Sequence, residues 1–351
     1  MPAAEVTIVV SPRGRYSFAQ RSLESIYDQT PEPFELVYVD VDSPSRIKRY
    51  LETKAVEKGF RLIRSSTYLT PNEARNLALR EVNTRYVVFI DNDVLVSSGW
   101  LKPLVDCAEE TGAWVVGPLY MESDGREQTI HGTGGVASIK TSNGRTFIDE
   151  KNLFKGQTPE GLAMPSGRQQ CDLVEFHCLL VRTDVFDRIG PLDEKLLNHR
   201  EHYDLCFAVR EAGGSIYFEP SCVITYFPPQ TLALNDVPYF MLRWSEAWTD
   251  ETLPYFHQKW RLDYDEHASK SVIAGWRLHR YRLLPTRLRG WMHVVCGDRL
   301  ARRAEQASRA SLPASHRNKT KPGGRSLYLA KTSETVEPFA GFIDTSRDAR
   351  L

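Results

Sequence analysis

The stretch Val87-Val88-Phe89-Ile90-Asp91-Asn92-Asp93 decides the fold class of this 351-residue chain. Its four apolar residues predict a strand that is buried on both faces, which is typical of an α/β sheet. Asp91 and Asp93 follow directly at the end of this strand. Because open α/β sheets bind ligands at the carboxyl ends of their strands, the two carboxylates suit a Mg²⁺ or Mn²⁺ ion held together with phosphate. A turn rich in Asp and Asn, without any ligand, is the alternative.

Strands and helices alternate along the first third of the chain. Predicted strands cover residues 6–10, 34–39, 61–64, 87–90 and 114–116, and predicted helices cover 17–27, 44–57, 71–82 and 97–110. This alternation predicts a parallel, doubly wound sheet whose strands end at a common edge. The second strand ends in Asp40-Val41-Asp42-Ser43, so we expect Asp40, Asp42 and Asp91 at that edge. We interpret the edge as a ligand site.

Residues 118–172 lose this alternation, and we predict loops with short strands there. Gly132-Thr133-Gly134-Gly135 is interpreted as a turn rather than a phosphate loop, because no Lys-Ser or Lys-Thr pair follows it. Regular structure resumes with predicted strands at 173–181, 215–219 and 221–227 and a helix at 201–212. His177 is interpreted as a core residue, since a lone histidine in an apolar strand is usually structural.

Composition is that of a soluble globular protein with a formal net charge of zero, and nucleic acid is not an expected partner. The charge is uneven, because thirteen Lys and Arg residues between 277 and 325 face only Asp298 and Glu305. Six scattered cysteines predict reduced thiols of a cytoplasmic protein. The run Val6 to Val10 follows the N-terminus directly, which predicts no signal peptide, and no apolar run is long enough to span a bilayer.

Taken in order, these motifs resemble glycosyltransferase family 2, the inverting nucleotide-sugar glycosyltransferases of the GT-A fold. The resemblance spans roughly residues 6–227, and its six pieces are each weak alone but specific in register. The pieces are Val6 to Ser11, Val37 to Ser43, Asn72 to Ala78, Asp91 to Asp93, Ile189 to Glu194 and Glu201 to Leu205. The resemblance implies an α/β, Rossmann-like and mostly parallel sheet flanked by helices.

The resemblance also implies an activity, namely transfer of a sugar from a nucleotide-diphosphate sugar, UDP-type favoured, to a hydroxyl acceptor with inversion in glycan or polysaccharide biosynthesis. It implies that Asp93 binds Mn²⁺ or Mg²⁺, with Asp91 nearby as a second ligand or as a contact of the ribose or sugar. The other residues implied in nucleotide-sugar binding are Ser11, Asp40, Asp42, Arg75 and Asn92. Tyr226 stands where the family often has a metal-binding histidine, so the ion is expected to depend on Asp93, phosphates and water.

Inversion requires a base that takes the proton from the acceptor hydroxyl. His202 occupies the position of the family's catalytic carboxylate, and Glu201 beside it is an equal candidate. Asp204 is expected to orient them or to cap their helix. His199 is a candidate for the acceptor site. The alternative function is a nucleotide-sugar-binding protein of the same fold with weak or no turnover, a loss that His202 and Tyr226 would explain.

We predict three segments: a glycosyltransferase domain at residues 1–230, a helical acceptor-side and basic extension at 231–305, and a partly disordered linker and tail at 306–351. Within the extension, the basic region 277–303 alternates Arg with apolar residues. It suits a helix on an anionic membrane surface or on a lipid-diphosphate acceptor, and equally a solvated helix docked on the acidic domain. We expect a cytoplasmic protein, with peripheral attachment to the inner membrane face as an alternative, and a glycan, lipid-linked or small-molecule acceptor.

Overall fold

The computed structural model describes residues 4–265, 270, 273–275 and 281–287. Its strands are β1 (Val6–Ser11), β2 (Glu35–Val41), β3 (Arg61–Ser65), β4 (Tyr86–Asp91), β5 (Val94–Val96), β6 (Val115–Ser123), β7 (Gln128–Gly132), β8 (Gly135–Ser142), β9 (Arg145–Asn152), β10 (Gln169–Cys171), β11 (Cys178–Arg182) and β12 (Ile216–Tyr226). Its α-helices are α1 (Ala19–Gln29), α2 (Ser45–Lys58), α3 (Pro71–Leu79), α4 (Leu101–Thr111), α5 (Phe186–Ile189), α6 (Glu201–Glu211), α7 (Val237–Arg243) and α8 (Glu246–Lys259).

One mixed sheet carries the fold, with the strand order β10-β12-β6-β11-β4-β1-β2-β3 and with β5 and β7 added to β12 and β6. The neighbours β3, β2, β1 and β4 are parallel, as predicted. Strand β11 is antiparallel to both β4 and β6, within a sheet that is mostly parallel, as predicted. As a consequence, the beginning of β11 lies at the edge where β1 and β4 end.

Strand β4 is apolar throughout because it is covered on both sides. Val87 and Phe89 belong to a hydrophobic cluster on one face of the sheet, and Val88 and Ile90 belong to a second cluster. None of the four side chains has exposed surface. Full burial of such apolar side chains contributes about 1.5–3 kcal/mol each to folding stability. A charged residue within the strand would be costly because its charge would be buried. The acidic residues therefore come only at the end of the strand.

Helix α3 begins as the sequence predicts. Thr70 and Glu73 form a reciprocal capping box, and Pro71 occupies the first turn. The predicted ends of α2 and α4 are also confirmed, because Gly59 and Gly112 adopt left-handed conformations after their last turns.

Three local predictions are wrong. Ser97 and Ser98 do not cap α4, which begins at Leu101 after the short strand β5. The region 118–172 is more regular than predicted, since it contains most of β6 and all of β7 to β10. The two strands predicted for 215–227 are the single strand β12, interrupted by an irregularity between Glu219 and Val223. The Pro-Ser pair in this stretch led us to predict a break between two strands, whereas the structure has a bulge within one strand.

Helices α7 and α8 share the core of the sheet. Tyr239, Phe256 and Trp260 belong to the same hydrophobic cluster as Val87 and Phe89. The domain division at residue 230 stays a prediction, and most of the basic region 277–303 and the whole tail 306–351 lie outside the described residues. Among the described residues, no helix combines the length and the apolar character that crossing a bilayer requires.

Candidate functional site

The predicted edge of the sheet brings the ends of β1, β2 and β4 together. Ser11 is the register partner of Asp91. Asp40 is the register partner of Arg64, one pair before the ends of β2 and β3. The backbone N–H of Asn92 also donates to the carbonyl of Ser11 at 3.0 Å. Because β2 and β4 both pair in parallel with β1, Ser11, Asp40 and Asp91 lie at the same edge of the sheet.

Asp91 is fully buried and already neutralised by the protein. Its Oδ2 lies 2.8 Å from Nη1 of Arg13, and its Oδ1 lies 3.4 Å from Nη2 of Arg75. Arg75 is itself buried, with its guanidinium 3.8 Å from the centre of the Phe176 ring. Burial lowers the pKa of Arg75 to about 10, a shift that the charges of Asp91 and Glu201 oppose. Asp91 therefore acts as the counter-ion of two arginines.

Asp93 has the opposite environment. It is 2% exposed, and its Oδ1 atom is buried with no hydrogen-bond partner. Burial, and then the charge of Asp91, raise the pKa of Asp93 to about 6. A buried carboxylate oxygen without a donor is costly unless a ligand or a cation satisfies it. Asp93 thus offers a free ligand atom at the strand edge.

Asn92 holds the loop after β1. Its Oδ1 accepts the backbone N–H of Arg13 at 2.9 Å, and its Nδ2 donates to the carbonyl of Arg15 at 3.4 Å. These bonds place Arg13 beside Asp91. The side chain of Asn92 is therefore engaged within the protein, and it supports the site through the position of Arg13.

The two acidic residues after β2 differ as well. Asp40 is buried, accepts the backbone N–H of Ser43 at 3.2 Å and lies 2.8 Å from Nη1 of Arg64. Burial raises the pKa of Asp40, against the effect of these partners. Asp42 is exposed and adopts a left-handed backbone with φ of 55°. Ser11 has a buried hydroxyl with no hydrogen-bond partner.

Arg243 on α7 is a residue that sequence reasoning missed. It is 2% exposed, and its Nε and Nη1 atoms have no hydrogen-bond partner among the described residues. Its charge contributes to the lowered pKa of Arg75 and opposes the raised pKa of Asp93. The segment that carries α7 reads only as aromatic-rich and helical. A single arginine in such a segment does not predict a functional residue from sequence alone, because the position of α7 is set by tertiary structure.

The predicted catalytic residues begin helix α6. Arg200, which precedes it, has a positive φ of 67°, a conformation that is uncommon outside Gly and Asn. Glu201 is buried, and its charge raises the pKa of Arg75. His202 is half-buried and lines a cavity together with Glu175 and Tyr120. Burial lowers the pKa of His202, which keeps its imidazole neutral at pH 7 and able to accept a proton.

Asp204 is tied to the end of α8. It accepts a hydrogen bond from Nε1 of Trp260 at 2.9 Å and one from Nζ of Lys259 at 2.9 Å. Burial raises the pKa of Asp204, and both donors oppose that shift. These contacts tie α6 to the end of α8, and the prediction that Asp204 orients Glu201 and His202 or caps their helix stays a prediction. His199 is half-buried, with its ring 5.3 Å from that of Trp244.

His177 lies at the site rather than in the core, because β11 is antiparallel. Its backbone carbonyl accepts the N–H of Asp91 at 3.1 Å, and its Nδ1 lies 3.4 Å from Oδ2 of Asp91. Tyr226 ends β12, and its ring lies 4.6 Å from that of His177. Ligand atoms of Asp91, Asp93 and His177 lie within 4.8 Å of one another, so these three residues could hold a metal ion. The sequence places His177 just before β11. This position indicates a site residue only when the direction of β11 in the sheet is known.

Two curated relatives are similar to the chain. The uncharacterized protein y4gI of Sinorhizobium fredii is 24% identical over 278 residues, which are 77% of this chain and 29% of that protein. The pre-mycofactocin glycosyltransferase of Mycobacterium tuberculosis is 25% identical over 156 residues, which are 44% of this chain and 30% of that protein. The chain therefore spans less than a third of the length of either relative.

The fold prediction is confirmed by a solved structure, that of GalNAc-T7 with UDP, GalNAc and Mn²⁺. The two chains are 16% identical with a TM-score of 0.53, and the match covers 85% of this chain and 57% of the other. At this identity the similarity establishes the GT-A fold alone. The sequence profile described as "Glycosyl transferase family 2" matches residues 7–190, which is more than half of the chain. The protein belongs to glycosyl transferase family 2.

Proposed function

We propose that this glycosyltransferase transfers a sugar from a nucleotide-diphosphate sugar to a hydroxyl acceptor with inversion, assisted by a divalent metal ion. One observation carries the proposal. Among the described residues, the buried Oδ1 of Asp93 and the buried Nε and Nη1 of Arg243 all lack hydrogen-bond partners, and the charge of Arg243 opposes the raised pKa of Asp93. A bound cation and a diphosphate would satisfy such buried polar atoms of opposite charge.

The donor set fits Mn²⁺ or Mg²⁺. Asp93 would hold the ion through its free Oδ1, with Asp91 beside it, and both ions prefer oxygen ligands and phosphate. When bound, such an ion neutralises charge that develops on a diphosphate leaving group. Asp91 is the weaker ligand candidate, because Arg13 and Arg75 already neutralise its carboxylate.

The protein's own cations support binding of the diphosphate. Arg13 and Arg75 lie at the strand edge, where both contact Asp91, and the charge of Arg243 acts on Arg75. Donors that are fixed before the reaction stabilise a leaving group without reorganisation. Asp40 and the free hydroxyl of Ser11 lie further along the edge, where they suit a nucleoside, and a carboxylate acceptor at Asp40 favours a uracil-type base.

For the base we favour His202 over Glu201. His202 lines a cavity and is neutral at pH 7, whereas Glu201 is buried and interacts with Arg75. A base must reach the acceptor hydroxyl, and His202 is partly exposed whereas Glu201 is buried. The acceptor is a glycan, a lipid-linked compound or a small molecule, and membrane contact through 277–303 and a cytoplasmic location stay predictions.

The test is a donor screen. The purified protein is incubated with UDP-, GDP- and TDP-sugars and Mn²⁺, and release of the nucleoside diphosphate is followed with and without acceptors. We expect release from a UDP-sugar that Asp93→Asn abolishes, and a product whose anomeric configuration, read by NMR, is inverted. A retained configuration would refute inversion while leaving transfer intact.

A binding protein without turnover is the second candidate. The ring of Tyr226, 4.6 Å from that of His177, fills the position beside Asp93 where the family resemblance implies a histidine ligand. This function predicts that a nucleotide sugar binds but is not cleaved with any acceptor. It also predicts that Glu201→Gln and His202→Ala change nothing in the assay.

A further inference from the structure

A cluster of His131, Glu175 and His177 lies next to the donor-site carboxylates. His131 is on β7, and the other two residues precede β11. Their ligand atoms all lie within 4.8 Å of one another. Oε2 of Glu175 is 3.3 Å from Nε2 of His131 and 3.6 Å from Nε2 of His177. One carboxylate oxygen therefore faces two imidazole nitrogens.

These separations match ligands around a shared ion. With bonds of about 2.0–2.1 Å, a tetrahedral zinc site places neighbouring ligand atoms about 3.4 Å apart. Hydrogen bonds between nitrogen and oxygen have lengths of about 2.7–3.2 Å, so 3.6 Å is too long for one. A proton on His131 can account for the first separation, but it does not explain why His177 also turns its Nε2 toward Glu175.

Both histidines have carboxylates behind them. Nδ1 of His131 lies 2.8 Å from Oε2 of Glu122, and Nδ1 of His177 lies 3.4 Å from Oδ2 of Asp91. In metal sites a carboxylate commonly accepts the second ring N–H, which fixes the tautomer and turns the free nitrogen to the metal. His177 is 1% exposed, and its Nδ1 has no hydrogen bond among the described residues, so its contact with Asp91 is electrostatic.

The cluster is also open to solvent. The side chains of His131 and Glu175 are 15% and 29% exposed, so an ion can enter. Three protein ligands leave a fourth position for water or substrate, as in catalytic zinc sites.

We propose that His131, Glu175 and His177 form a second metal site, distinct from Asp91 and Asp93, that binds a divalent transition ion of the zinc class. Two imidazoles and one carboxylate suit zinc better than Mn²⁺ or Mg²⁺, which prefer oxygen ligands. The site shares the Asp91 carboxylate as an outer partner, and through it the ion would hold His177 in place beside the donor site.

Cobalt binding tests the proposal without any nucleotide sugar, so it is independent of the proposed transferase activity. The metal-free full-length protein is titrated with Co²⁺ and followed by visible absorption, and Zn²⁺ is then added. We expect one equivalent of Co²⁺ to give the intense band of a four-coordinate ion, and Zn²⁺ to displace it. His131→Ala and Glu175→Gln should weaken binding at least tenfold. His257→Ala, which removes a histidine elsewhere, should leave it unchanged.

Glu122→Gln keeps all three ligands and tests the outer partner. We expect it to weaken Co²⁺ about 10- to 100-fold, so it replaces His131→Ala should that variant fail to fold by circular dichroism. The proposal is overturned if wild-type protein gives no four-coordinate band, or if His131→Ala and Glu122→Gln bind as wild type does. It is also overturned if Asp93→Asn alone removes the band, since the ion would then belong to the carboxylate pair.

Discussion

Asp91 and Asp93 stand two residues apart at the end of one strand, yet the protein neutralises only Asp91. Arg13 and Arg75 contact the Asp91 carboxylate, whereas Oδ1 of Asp93 is buried without a partner. The first carboxylate therefore belongs to the folded structure, and the second is available to a ligand. Substitution of Asp91 should therefore affect the stability of the protein, whereas substitution of Asp93 should affect ligand binding.

Asp91→Asn should destabilise the protein, and Asp93→Asn should not. Loss of the Asp91 charge leaves the buried Arg75 guanidinium unpaired, which costs about 3 kcal/mol. Asp93→Asn removes a buried, unsatisfied carboxylate whose pKa is already raised to about 6, so the ligand-free protein should unfold at an equal or higher denaturant concentration. Urea unfolding of both variants measures the difference. Equal losses of stability would mean that the protein also satisfies Asp93.

Arg243→Met should weaken donor binding without lowering the stability of the ligand-free protein. The substitution removes two buried nitrogens that have no partners among the described residues and keeps most of the side-chain volume, which offsets the loss of the hydrogen bond to Tyr239. We expect the affinity for UDP to fall at least tenfold by calorimetry, which is about 1.4 kcal/mol. Arg182→Met is the control, because Arg182 pairs with Asp184 on the surface. If Arg243→Met binds UDP as the control does, Arg243 has no role toward the diphosphate.

The pH dependence of kcat/KM should identify the base. Burial lowers the pKa of His202 below its ordinary value of 6.5, and a histidine must be neutral to accept a proton as general base. The rate should therefore be constant near pH 7 and fall only as the pH drops through the lowered pKa. In His202→Ala we expect a loss of about 10²- to 10⁴-fold and no such acid limb. An unchanged acid limb in His202→Ala would assign it to another group.

Trp260→Phe should lower stability but not donor binding. The buried carboxylate of Asp204 would lose the indole N–H at 2.9 Å and keep only Lys259. Hydrogen bonds to charged groups contribute about 1.5–3 kcal/mol, so the urea midpoint should fall accordingly. Asp204→Asn should behave in the same way. Lost activity with unchanged stability in Asp204→Asn would place Asp204 at the reaction centre instead.

The sequence predicts the parts of the site that parallel strands supply. Asp40 and Asp91 follow apolar runs in a β-α alternation, and such runs end at one edge whatever the details of the loops. The predicted start of helix α3 at residue 71 likewise places Arg75 within that helix. These predictions depend on local periodicity and on one general rule of sheet topology.

The remaining residues depend on tertiary structure. His177 reaches the edge only because β11 runs antiparallel, and no local pattern states the direction of a strand. His131 lies on a hairpin-forming strand within a region that reads as loops. Arg243 lies on a helix that belongs to the same core as the sheet but follows the last recognisable motif. In each case packing decides the position.

The most direct test of the account is donor binding followed by thermal shift, with and without Mn²⁺, in wild-type protein and Asp93→Asn. At a donor concentration of a hundred times the dissociation constant, binding should stabilise the wild-type protein by about 2.7 kcal/mol. We predict that a UDP-sugar gives this shift with Mn²⁺, and that Asp93→Asn removes the part that Mn²⁺ adds. An equal shift in both proteins, or a wild-type shift that Mn²⁺ does not increase, would contradict a metal-assisted diphosphate site at Asp93.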